Sequence, residues 1–135
     1  MPSPIIGGAT FPRADTTVAL VTDDFVSPLP GSSFRQDSRV FPSLTIAPNG
    51  ALYVAWANRT SGHAVVKLTS STDGGLTWTA PAVAGDVKGR SAFFASVAVG
   101  PVGDVNVAFQ AMDDVPASTA PGAGVVHYDS YDAVD

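Results

Sequence analysis

From residue 43 onward, apolar and polar positions alternate with a period of two. Leu44 and Ile46 interleave with Ser43, Thr45 and Ala47, and Leu52, Val54 and Trp56 then interleave with Tyr53 and Ala55. Such alternation is that of β-strands with one buried face. Between the two runs, Ala47-Pro48-Asn49-Gly50 supplies a fixed φ followed by residues that tolerate positive φ, which predicts a hairpin.

The same passage then returns. Phe41–Trp56 aligns without a gap on Phe94–Phe109, an offset of 53 residues. Phe, Ser, Pro, Gly, Val and Ala recur at matching places, and Leu44/Val97, Ile46/Val99, Leu52/Val105 and Trp56/Phe109 preserve size and polarity class. A period of roughly 50 built from short antiparallel strands is the spacing of a propeller blade. The expected strands are 43–48, 51–57, 63–70 and 77–84 in a first blade, and 95–100, 104–111 and 123–129 in a second that lacks its fourth strand. Thr16–Thr22 reads as the last strand of a preceding or closing blade.

The expectation is therefore an all-β chain of about two four-stranded antiparallel blades. Residues 1–135 form one propeller segment, with 16–22 as the extra strand, 41–84 as the first blade and 94–132 as the second. Two blades cannot close a ring alone. Further blades of the same parent chain, or identical copies in a homo-oligomer, are the expected partners.

Composition narrows this picture. All 12 acids are Asp, only two residues are Lys, and the formal net charge is −5. Strong helix formers are scarce and nucleic acid is excluded as a partner. The absence of cysteine removes disulfides, thiolate metal sites and a thiol nucleophile. No apolar run approaches the roughly 18 residues of a membrane span, and Met1-Pro2-Ser3-Pro4 lacks the basic start of a secretory signal. A soluble chain without membrane partner, cofactor or metal is expected.

Between the third and fourth strands of the first blade stands Ser71-Thr72-Asp73-Gly74-Gly75-Leu76-Thr77-Trp78. This resembles the Asp box, Ser-x-Asp-x-Gly-x-Thr-Trp, of the bacterial neuraminidase repeat family of sialidase-like propellers. Ser71, Asp73, Gly75, Thr77 and Trp78 fill all its defining positions, and the second copy would begin near Ser130-Tyr131-Asp132. Physically the motif is a hairpin device: Asp73 can accept backbone N–H bonds, the glycines permit positive φ, and Trp78 can pack back on the sheet.

The resemblance implies an exported or cell-surface parent and a six-bladed ring. It also implies a ligand pocket on the face opposite the Asp box, where residues 31–42, 58–62, 85–93 and 112–122 would lie. Ligand-binding candidates there are Arg35, Asp37, Arg39, Arg59, Asp86, Arg90 and Asp113. Sialidases grip the substrate carboxylate with three arginines and use an Asp acid/base beside a Tyr assisted by Glu. Phe34-Arg35-Gln36-Asp37 only partly echoes the family's Phe-Arg-Ile-Pro signature, and the chain has no Glu, so no catalytic residue is identified.

Solvation alone also places charges on loops. Asp113-Asp114 lacks the spaced carboxylates of a calcium loop, His63 and His127 read as repeat-equivalent surface or core positions, and Asn58-Arg59-Thr60 fits a glycosylation acceptor. The functional expectation is a non-catalytic segment of a sialidase-like propeller offering a carbohydrate- or protein-binding face, with a glycan as ligand. Part of an exo-sialidase or related glycoside hydrolase, and a self-assembling propeller lectin, are the alternatives.

Overall fold

The computed structural model describes residues 16–21, 41–59, 64–113 and 128–134. They form seven strands: β1 (Ser43–Ile46), β2 (Leu52–Arg59), β3 (Ala64–Ser71), β4 (Ala82–Gly85), β5 (Arg90–Val99), β6 (Val105–Asp113) and β7 (Tyr128–Val134). All pairings are antiparallel, in a four-stranded sheet ordered β1-β2-β3-β4 and a three-stranded sheet ordered β5-β6-β7. The two repeated passages thus lie in separate sheets.

Each passage folds into the same hairpin. The Ala47 amide donates to the Ala51 carbonyl at 2.8 Å and the Gly50 amide to Ala47 at 2.9 Å; 53 residues on, Gly100 donates to Asp104 at 2.8 Å and Gly103 to Gly100 at 3.0 Å. Gly50 and Gly103 sit at φ of 85° and 95°, the left-handed region that glycine enters without steric cost.

Register assigns the faces. Paired residues share a face, so Ser43, Ala55, Ala57, Val66 and Leu68 point one way from the first sheet, and Leu44, Val54, Trp56, Lys67 and Thr69 the other. The first set meets the second sheet. Ala55 and Val66 join Ala92, Ala95, Val97, Val105, Val107, Phe109 and Ala111 in the buried core, with Tyr53, Leu68 and Val99 packed at its margin.

Side-chain hydrogen bonds stitch the sheets together: the Val97 amide donates to Ser43 Oγ at 3.1 Å, and the Ala64 amide to Ser91 Oγ at 3.2 Å. Gly85 lets the Phe109 ring close against β4, because a Cβ there would stand 2.6 Å from Phe109 Cζ. Only glycine fits that approach.

Strand limits depart from the sequence expectation where another interaction competes. β4 begins at Ala82 rather than 77, because Thr77 bonds to Asp73 inside the preceding loop, Thr79 engages Ser70 of β3 through its hydroxyl ahead of the β4 ladder, and Pro81 has no amide hydrogen to donate. β5 begins at Arg90 rather than 95, because a bulge between Phe93 and Ser96 breaks the period-two pattern. At the bulge Phe94 takes φ 51°, uncommon for a side chain of its size. β7 covers 128–134 rather than 123–129: its ladder with β6, from Tyr128–Met112 to Val134–Asn106, overrides the poor strand propensity of Asp129 and Asp132. Thr16–Val21 carries no strand pairing, unlike the strand expected there, and Thr22 lies outside the described residues.

Candidate functional site

Connections alternate between the two ends of the sheets. The β1–β2, β3–β4 and β5–β6 connections lie at one end; the β4–β5 connection, the end of β2 with the start of β3, and the end of β6 with the start of β7 lie at the other. The Ala64–Ser91 hydrogen bond, between the starts of β3 and β5, shows that the second ends of both sheets coincide.

At the first end the Ser71–Trp78 loop is closed by its own side chains. Ser71 Oγ donates to Asp73 Oδ1 at 2.8 Å and accepts the Gly75 amide at 2.9 Å. Asp73 Oδ1 also accepts the Thr77 amide at 2.9 Å, and its Oδ2 accepts the Thr77 hydroxyl at 2.5 Å. Trp78 folds back so that its Nε1–H donates to the Gly75 carbonyl at 3.2 Å, and Gly74 and Gly75 supply φ of 71° and 87°. Below the loop, Thr79 Oγ1 accepts the Ser70 amide at 3.0 Å and the Thr79 carbonyl accepts the Thr69 hydroxyl at 2.6 Å.

The Thr77 hydroxyl and amide, then the Ser71 hydroxyl, favour the charged carboxylate and hold the Asp73 pKa down at about 2. A carboxylate so tied to its own loop is an architectural group. Every defining position of the motif makes a bond or φ that the loop requires.

At the second end the structure gathers part of the charged set. Arg59 closes β2 and pairs with Ala64, and Arg90 opens β5 beside Ser91, which accepts the Ala64 amide. Arg59 shares the face of Ala55 and Ala57, and Arg90, opposite Asp113 in the ladder, shares the face of Ala92. Both arginines therefore lie on the surfaces through which the sheets confront one another, and both are half-exposed. Asp86 is exposed immediately after β4. Arg35, Asp37 and Arg39 lie outside the described residues, as do His63, Asp114 and His127.

One feature escaped sequence reasoning. On the face of the first sheet turned away from the second, Pro42, Leu44, Val54 and Trp56 join Val18, Ala19 and Val21 around a cavity of about 450 Å³. Trp56 is 3% exposed, yet its Nε1–H has no hydrogen-bond partner among the described residues. An unmet buried donor costs about 1–3 kcal/mol. Alternation announced an apolar Trp56 but not which of the two faces meets the second sheet.

Among the described residues, no three His, Cys, Asp or Glu side chains gather as a metal ion would require, and no helix is long and apolar enough to cross a membrane. Neither a scan against protein-family models nor a search of curated proteins returns a match to this chain.

Proposed function

We propose that this chain is a segment of a sialidase-like Asp-box propeller, its two sheets being neighbouring blades, that presents a binding face for an acidic glycan and is not catalytic by itself. The observation that carries this reading is the Ser71–Trp78 loop: its five defining residues make a closed set of bonds at the β3–β4 junction of a four-stranded antiparallel sheet. A plain Asp-Gly-Gly turn has no need of Ser71, Thr77 or Trp78.

The ligand class follows from the opposite end. Arg59 and Arg90 stand on facing sheet surfaces, and a guanidinium fork matches a carboxylate through two charge-assisted hydrogen bonds. The absence of Glu argues against the tyrosine-based hydrolysis that sialidases perform. The test is binding of a sialylated conjugate measured beside release of 4-methylumbelliferone from a sialic-acid substrate. Binding without turnover, weakened about tenfold or more by Arg59→Ala or Arg90→Ala, is expected. Turnover would move the chain to the hydrolase alternative, and binding indifferent to both substitutions would remove this face from the site.

A further inference from the structure

Two turns of this chain place a glycine directly after a side chain able to cyclise onto the next amide: Asn49-Gly50 between β1 and β2, and Asp73-Gly74 between β3 and β4. With no side chain on the glycine, its amide nitrogen is unshielded and can reach the Cγ of the residue before it. Neither of the other two asparagines, Asn58 and Asn106, precedes a glycine.

The two turns treat that chemistry in opposite ways. Both Asp73 oxygens are engaged, Oδ1 by Ser71 Oγ and the Thr77 amide and Oδ2 by the Thr77 hydroxyl, and these bonds keep the carboxyl ionised. A carboxylate resists attack by a nucleophile. Asn49 is neutral and exposed, and among the described residues it is tied only through Oδ1, to which the Ala51 amide donates at 3.0 Å. A backbone N–H aimed at that oxygen stabilises the charge that attack on Cγ would place there. Opposing it, the Gly50 amide donates to the Ala47 carbonyl at 2.9 Å, which holds the attacking nitrogen inside the turn. Solvent has free access, because a Cβ at Gly50 would meet nothing within 4 Å.

The turn itself has no need of an asparagine. Val102 takes the equivalent place in the sister hairpin, which makes the same pair of turn bonds and the same positive φ, at Gly103.

We propose that Asn49 is a site of spontaneous deamidation gated by the β1–β2 turn, its amide being lost in proportion to the time the hairpin spends open. In the open turn, hydroxide from solvent takes the Gly50 amide proton and the nitrogen bonds to Asn49 Cγ, displacing an electron pair onto Oδ1. That pair returns as the Cγ–Nδ2 bond breaks, and Nδ2 leaves as ammonia, taking a proton from water and restoring the hydroxide. Water then opens the cyclic imide. Cleavage at Cγ leaves aspartate at position 49, while cleavage at the backbone carbonyl leaves isoaspartate, with a methylene added to the main chain of the turn. Either product carries a new negative charge at the hairpin tip. This inference is independent of the glycan reading.

The test is incubation of the intact chain in mildly alkaline buffer, followed by peptide mapping by mass spectrometry that separates aspartate from isoaspartate. Exchange of amide for acid should appear at position 49 ahead of 58 and 106, with position 73 still unmodified. Urea sufficient to unfold the chain should speed the loss about tenfold or more, because the native turn then no longer withholds the Gly50 nitrogen. Pro48→Gly, which frees the φ that proline fixes in the turn, should speed it at least about twofold without urea. Asn49→Val, which installs the residue of the sister hairpin, should remove the acidic species from isoelectric focusing.

Equal rates in the folded and unfolded chain, a rate that Pro48→Gly leaves unchanged, or first loss at Asn58 or Asn106 each overturns the proposal. So does an Asn49 that keeps its amide even in urea, or an acidic species that persists in Asn49→Val.

Discussion

Gly85→Ala adds a single methyl carbon where β4 meets the second sheet. That carbon would stand 2.6 Å from Phe109 Cζ and closer still to Cε1, against about 3.5–4.0 Å for a relaxed carbon–carbon contact. Phe109 is 5% exposed and belongs to the core between the sheets, so the rigid ring has no solvent to swing into. Either the ring or β4 must shift by about 1 Å, and overpacking of this kind costs about 1–3 kcal/mol.

Opposing this, alanine is favoured over glycine within a strand by about 0.5–1 kcal/mol. Taken at the middle of each range, the balance is a loss of about 1 kcal/mol, which for a chain of this length lowers Tm by roughly 3–5 °C. Thermal unfolding followed by far-UV circular dichroism reads the effect. Phe109→Leu should be destabilising alone through its cavity, yet in the Gly85→Ala background the combined loss should fall short of the sum by about 1–2 kcal/mol. A Tm unchanged or raised by Gly85→Ala would refute the close approach of β4 to the ring.

Three further outcomes follow from the loops and hairpins. Because Asp73 is held down from 3.8 to about 2 in the fold, its contribution is fully present above pH 3.8 and is lost as pH falls through 2. Wild type should therefore be more stable than Asp73→Asn at neutral pH by a margin that shrinks between about pH 4 and 2; a margin independent of pH in urea titrations would contradict this. Gly75→Ala forces a side chain into φ 87° and should lower Tm although the added carbon meets nothing closer than 3.6 Å, whereas Thr72→Ala should leave Tm unchanged. Gly100→Ala drives a Cβ to within 2.6 Å of Asp104 Oδ2, so it should destabilise alone; the pair Gly100→Ala with Asp104→Ala, which installs the Ala47 and Ala51 of the sister hairpin, should restore most of the loss.

The hairpins and the Ser71–Trp78 loop were legible in the sequence because each is local. A turn with glycine at a positive φ and a loop of eight residues contain all the partners they need. β4 was less so, since Thr77 and Thr79 have strand propensity but Thr77 gives its hydroxyl to Asp73 in the loop and Thr79 uses its hydroxyl on Ser70 of β3. β7 was hidden by its aspartates, whose pairing comes from a ladder with β6 that no local preference announces. Long-range pairing governs such placements. The facing of Arg59 and Arg90 was equally out of reach, for it depends on register in two sheets at once. The charged residues of the second end were legible as a group, but not their sidedness.

The bulge at Phe94 settles that sidedness. Counting back from Ala98 and Ser96 in an uninterrupted strand would bring Arg90 out on their side, away from the first sheet. One additional residue opposite Phe109 reverses the phase, so Arg90 comes out on the face of Ala92 and Ala111, which belong to the core between the sheets. Excising that residue would straighten the ladder and at the same stroke move a positive charge to the other side of the sheet. The side on which that arginine emerges is thus encoded in a count of amino acids as much as in their identities.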